Sequence, residues 1–159
     1  MDWIAHLVYG MFVWREKRLA RAASHGEHPA EPGAPGTKIH HLKLGARGET
    51  LAYWHLRCAG YAIVARNRRP HSRVGELDMV GWDGAVLAFI EVKTRTSEAG
   101  GPPEAAVGSN QQKRIIRSAQ EYMRRLRRKP AGYRFDIASV LWDPARGYRV
   151  RVIKDAFKG

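Results

Sequence analysis

The stretch "GELDMVGWDGAVLAFIEVKTR", Gly75 to Arg95, reads as two strands joined at Asp83-Gly84. Asp-Gly between two apolar runs marks a tight hairpin, because a type I′ turn needs positive φ at both central positions. With those two residues as the loop, Trp82 faces Ala85, Asp78 faces Phe89 and Glu76 faces Glu91. Opposed residues share a face of an antiparallel pair, as do residues two apart on one strand. Glu76, Asp78, Glu91 and Lys93 are therefore expected on one side of the ribbon. Leu77, Met79, Ile90 and Val92 take the other, which must be core. A β-bulge would flip half of that set.

Four charges in two good strand-forming runs need a physical reason. Two carboxylates about 5 Å apart repel by roughly 3 kcal/mol at an effective dielectric near 20. Protonating one acid, pairing with Lys93 or Arg95, or binding a cation would relieve this. Two arrangements fit the spacing. One is a surface-facing sheet with salt bridges from Lys93 to Glu76 or Asp78. The other is an oxygen-ligand site for Mg2+, which takes one or two carboxylates and keeps several waters. A lysine two residues from a ligand carboxylate can then orient or deprotonate water, or balance charge on a phosphate in transfer.

Outward from the hairpin, the 159 residues suffice for one domain, and 44% hydrophobic content supports a core. The formal charge of +13 points to a polyanionic partner, nucleic acid before an anionic membrane surface. A single cysteine, Cys58, excludes an intrachain disulfide and a cysteine-based zinc site, and fits a reducing cytoplasm. No secretory signal is evident, and "IAHLVYGMFVW" is far short of the ~20 apolar residues a membrane span needs.

Residues 1–22 read as an amphipathic helix with Trp3, Ile4, Leu7, Val8, Met11, Phe12 and Trp14 apolar, ahead of "REKRLAR". That pattern is typical of interfacial helices, so a weak membrane-surface contact is expected beside packing onto the domain or a partner contact. Residues 23–40 have the Gly, Pro and small polar content of a flexible linker, and 41–159 read as the folded domain. Within it, a helix from Gly48 closes near Gly60, and "YAIVARN" follows as a strand. "NQQKRIIRSAQEYMRRLRRK" is a second helix, and "RFDIASVLWD" and "YRVRVIKDAF" are the last strands. The order predicts an α/β mixed sheet flanked by helices.

"GARGETLAYWHLRCAGYAIVARNRR", "GELDMVGWDG", "FIEVKTR", "AVGSNQQKRIIRSAQEYM" and "RFDIASV" together resemble the YraN-like family of small bacterial proteins. That family belongs with the PD-(D/E)xK, restriction-endonuclease-like nucleases and is similar in layout to archaeal Holliday-junction resolvases. The resemblance runs from about Gly45 to Val140 and leaves residues 1–40 outside. It implies a restriction-endonuclease-like core and metal-dependent hydrolysis of phosphodiester bonds in DNA, with branched or structured DNA in view. It further implies Asp78 and Glu91 as ligands of Mg2+ or Mn2+, Lys93 as the catalytic lysine and Glu49 as an additional acid. Glu49 alternatively complements a helix dipole. Glu76 carries no catalytic role, and Leu77 stands where the superfamily's first motif often has proline. The alternative is a non-catalytic nucleic-acid-binding or adaptor protein that retains the fold.

Arg66, Arg68 and Arg69 precede the hairpin, Arg95 ends it, and Lys113, Arg114 and Arg117 stand on the second helix. They are the expected phosphate contacts, with affinity that falls as salt rises. Nothing among them reads base edges, so shape is the expected basis of recognition. Cleavage of a four-way junction would favour a homodimer. The seven histidines form no metal set, and Asp136 is expected to pair structurally with Arg134 or a neighbouring arginine.

Overall fold

The hairpin forms one position later than Asp-Gly suggests. The computed structural model describes residues 3–24, 38–68, 75–96, 101–143 and 147–159. In it β2 (Leu77–Asp83) pairs with β3 (Val86–Arg95) so that Asp83 faces Val86 and Val80 faces Phe89. The loop is Gly84-Ala85. Asp83 stays in the strand because its carboxylate accepts hydrogen bonds from Arg134 Nη2 at 2.6 Å and Lys154 Nζ at 2.7 Å. Gly84, with φ of 61°, then takes the first central position, the place a type II′ turn gives to glycine. Asp78 therefore does not face Phe89, nor Glu76 face Glu91; continued by one step, the ladder sets Asp78 opposite Glu91. Each residue's partner moves by two positions, so the register shift by itself turns no side chain to the other face.

The chain runs α1 (Trp3–Ser24), α2 (Lys38–Cys58), β1 (Ala62–Arg68), β2, β3, a 3₁₀ turn at Pro103–Ala106, α3 (Ser109–Arg124), β4 (Gly132–Asp143) and β5 (Gly147–Phe157). The five strands lie in chain order; β3 and β4 are parallel through the α3 crossover and the other pairs antiparallel. This is the α/β mixed sheet flanked by helices that the sequence predicts.

Both sheet faces are core, not one. Met79, Ala88, Ile90, Ala138 and Val140 pack against Leu51, Ala52 and Leu56 of α2. Val80, Leu87, Phe89 and Ile137 pack against Ile115 and Ala119 of α3. Leu77 joins the α3 side although Met79, two residues on, joins the α2 side, so alternation fails around Asp78. The expected grouping of Leu77 with Met79, Ile90 and Val92 is thereby corrected.

Helix boundaries also differ. α1 runs on to Ser24 and α2 begins at Lys38, so both take in residues assigned above to the 23–40 linker; its remaining residues, 25–37, lie outside the described residues. α3 ends at Arg124, short of Lys129, in a tightened last turn where the Arg125 and Leu126 N–H groups bond the Tyr122 and Met123 carbonyls three residues back. Lys129 Nζ instead donates to the Met123 carbonyl at 2.7 Å. α1 packs on α2 and β5, with Ala5 fully buried and Tyr9 Oη 3.1 Å from His55 Nδ1. Burial lowers the His55 pKa, which favours the neutral ring that can accept this bond. Among the described residues no helix is long and apolar enough to cross a membrane.

In the middle of β4, level with Ile90 of β3, the buried Asp136 accepts from Arg134 Nε at 2.8 Å, Tyr61 Oη at 3.0 Å and the Asp155 N–H at 2.9 Å. Asp136 thus pairs with Arg134, as expected. Removing one partner of a buried pair strands the other charge, at about 3–5 kcal/mol. Asp136→Ala should therefore lower stability by that order in denaturant unfolding.

Candidate functional site

Backbone pairing between β2 and β3 extends as far as Met79–Ile90. Just beyond, Asp78 Oδ2 accepts the Val92 N–H at 2.8 Å, so a β2 side chain takes up a β3 donor where the ladder stops. Asp78 is thereby turned towards β3 and held between the two layers.

Glu91 and Lys93, two apart on β3, share the α3 face. Glu91 is only 7% exposed. Lys93 Nζ lies 2.8 Å from Glu91 Oε1, and Gln111 Nε2 donates to the same oxygen at 2.5 Å. Lys93 Nζ also donates to Gln111 Oε1 at 3.1 Å, closing a triangle. Gln111 sits in the first turn of α3, where the Gln111 and Gln112 N–H groups bond the Gly108 carbonyl. The positive end of the α3 dipole therefore lies beside a carboxylate, a favourable placement. Gln111 was not singled out from sequence; the signal was the amide run Asn110-Gln111-Gln112 opening a helix just after the hairpin.

Glu49 reaches the site from the other layer. A Cβ on Gly48 would fall well inside contact with Thr94 Oγ1 and only 3.0 Å from Thr94 Cβ. Glycine thus lets α2 lie almost against the end of β3 and sets Glu49 within electrostatic reach of Asp78. Burial pushes the Asp78 pKa up to about 7, with Glu91 and, further down, Glu49 adding repulsion. The Val92 hydrogen bond and the Lys93 ammonium pull it down. Of the four residues singled out in sequence, Glu91, Lys93 and Glu49 thus each act on Asp78, and Lys93 pairs with Glu91. Glu76, just before β2, is half-buried.

Among the described residues no three His, Cys, Asp or Glu side chains gather closely enough to cage a metal ion. The donor set still fits Mg2+ or Mn2+: two crowded carboxylates whose repulsion a cation would relieve, with water and phosphate completing the shell.

The basic residues are less uniform. Lys113, Arg114 and Arg117 are exposed along α3. Arg68, also exposed, lines a cleft of about 160 Å³ with Leu77, Glu121, Tyr122, Arg125 and Leu126. The Arg66 guanidinium stacks 4.6 Å from the Tyr53 ring centroid. Arg95 donates to the carbonyls of Gly101 at 2.6 Å and Pro102 at 3.3 Å. Arg69 lies outside the described residues.

Residues 48–140 match the uncharacterised protein family UPF0102. The chain belongs to this family. The UPF0102 protein of Koribacter versatilis is 43% identical over 127 residues, covering 80% of this chain and 85% of its own length. That of Solibacter usitatus is 47% identical over 97 residues, or 61% and 74% of the two chains. That of Symbiobacterium thermophilum is 42% identical over 115 residues, or 72% and 96%. The UPF0102 match opens at Gly48, the close-packing glycine, spans Asp78, Glu91, Lys93 and α3, and leaves out α1.

Two expected outcomes follow from this geometry. Gly48→Ala should cost about 1–3 kcal/mol in unfolding experiments, because rotating Thr94 moves its Oγ1 but not its Cβ. Gly48→Ala with Thr94→Gly should recover much of the loss. For Asp78, the folded protein keeps a proton that the unfolded chain releases near 3.8. Stability from this group is thus full below that pH and lost as pH rises to about 7. In metal-free thermal unfolding, Asp78→Asn should flatten that loss and gain on the order of 1–3 kcal/mol over wild type near pH 8, with little gain near pH 4.

Proposed function

We propose that this protein hydrolyses phosphodiester bonds in DNA in a divalent-ion-dependent reaction, with branched or otherwise structured DNA as its substrate class. The observation that carries this reading is the meeting of side chains from β2, β3 and α2: Asp78 bonded to the Val92 N–H, Glu91 paired with Lys93 and Gln111, and Glu49 within electrostatic reach of Asp78. The resemblance to PD-(D/E)xK nucleases assigns roles to Asp78, Glu91, Lys93 and Glu49.

Asp78 and Glu91 would hold Mg2+ or Mn2+. When bound, such an ion polarises the scissile phosphate and offsets the charge developing on it. Lys93 is the residue nearest to proton work: released from Glu91, its amino group positions the attacking water and balances charge on the phosphate. Gln111 keeps the Glu91 carboxylate oriented through its amide. Glu49 adds negative charge on the α2 side and acts directly or through water. Arg66, Arg68, Lys113, Arg114 and Arg117 supply positive charge for the DNA backbone, which fixes position without reading sequence. A four-way junction offers two equivalent strands, so a homodimer suits that substrate.

The test is a panel of linear, nicked, flapped and four-way DNA with Mg2+ or Mn2+. Wild type is expected to cut at least one substrate, and Lys93→Ala to be slower by about a hundredfold or more. Equal behaviour of the two on every substrate sinks the catalytic reading. Salt-sensitive binding that survives Asp78→Ala, needs no divalent ion and leads to no cleavage would instead describe a binding protein that keeps the fold.

A further inference from the structure

α1 faces two ways. Ala5, Val8, Tyr9 and Phe12 lie on its inner side, with Ala5 fully buried and Phe12 packed on the α2-side core. Ile4, Leu7, Met11 and Trp14 recur at three- and four-residue spacing on the other side, joined by Trp3. All five are exposed, at 51–70%. Elsewhere among the described residues only Val64 and Tyr133 are comparably exposed large apolar side chains, and they stand singly. Scattered exposed apolar groups are ordinary, whereas an aligned stripe marks a contact surface.

We propose that this stripe seats the protein on an anionic phospholipid surface, with α1 lying in the plane of the interface. Three observations select lipid. Trp3 and Trp14 sit at the two ends of the stripe, about 16 Å apart along the helix, and indole rings favour the headgroup level of a bilayer. Arg15 and Arg18 are exposed at its C-terminal end, the Arg18 guanidinium 5.4 Å from the Trp14 ring centroid, where it can reach phosphate while the ring is immersed. Net charge is the third. A second copy on the same stripe would bring +13 against +13, whereas an anionic bilayer supplies the opposite sign. α1 is held on the domain by its inner face, so the stripe can engage lipid without unfolding anything.

The proposal is independent of catalysis, and its test uses the full chain without DNA. Co-sedimentation with vesicles of phosphatidylcholine alone, or with about one-third phosphatidylglycerol, is measured at about 0.15 M salt. Wild type is expected to pellet with the anionic vesicles and to stay in solution with the neutral ones. Leu7→Ser with Met11→Ser should weaken binding at least tenfold with an unchanged melting temperature, and Trp14→Ser should weaken it in part. Val64→Ser, on the edge strand, should bind as wild type. Binding by the double variant equal to wild type would mean that surface charge alone makes the contact, and the proposal fails. It fails equally if wild type ignores both vesicles, or if lipid-free wild type is a dimer that the double variant dissolves.

Discussion

Crowded negative charge is the constraint around which this protein is organised. Burial raises the Asp78 pKa, and the nearby Glu91 and Glu49 carboxylates raise it further. Such a cluster survives only if the surrounding structure holds it together. Lys93 and Gln111 brace Glu91, the Val92 N–H braces Asp78, and the close contact of Gly48 with Thr94 presses α2 against β3. Stability is spent on holding this charge in place.

The sheet makes this arrangement practicable. β3 is central, parallel to β4 and antiparallel to β2, and its run Leu87–Ile90 is buried on both faces. Only towards its C-terminal end does it leave the core, and there the charged residues begin. The opposite end is secured by Arg134, which joins Asp136 on its own strand, Asp83 on β2 and Tyr61 just ahead of β1. One end of the molecule is thus rigidly satisfied and the other left with excess charge.

The basic residues divide by use. Some face solvent along α3, while Arg95 and Arg125 are tied to a loop carbonyl or to Glu121. Net charge therefore overstates how many cations are available to a polyanion. α1 adds a separate surface: it completes the α2-side layer with one face and leaves an apolar stripe on the other.

Much of this was legible in the residues themselves. Strand and helix order follows from the period of the apolar residues, and a two-residue side-chain period sent Glu91 and Lys93 to one face whatever the exact register. Asp136 also declared itself, since a lone acid in an apolar run with an arginine two residues away has one economical use. The register of the hairpin was not legible, because it depends on Arg134 and Lys154, which arrive from β4 and β5 to hold Asp83 in its strand. The lost alternation at Asp78, the burial of both sheet faces and the entry of Gln111 were equally invisible. Each arises from segments distant in sequence. Local periodicity determines what a segment can become; only packing between segments decides which donor, which charge and which neighbour each side chain finally meets.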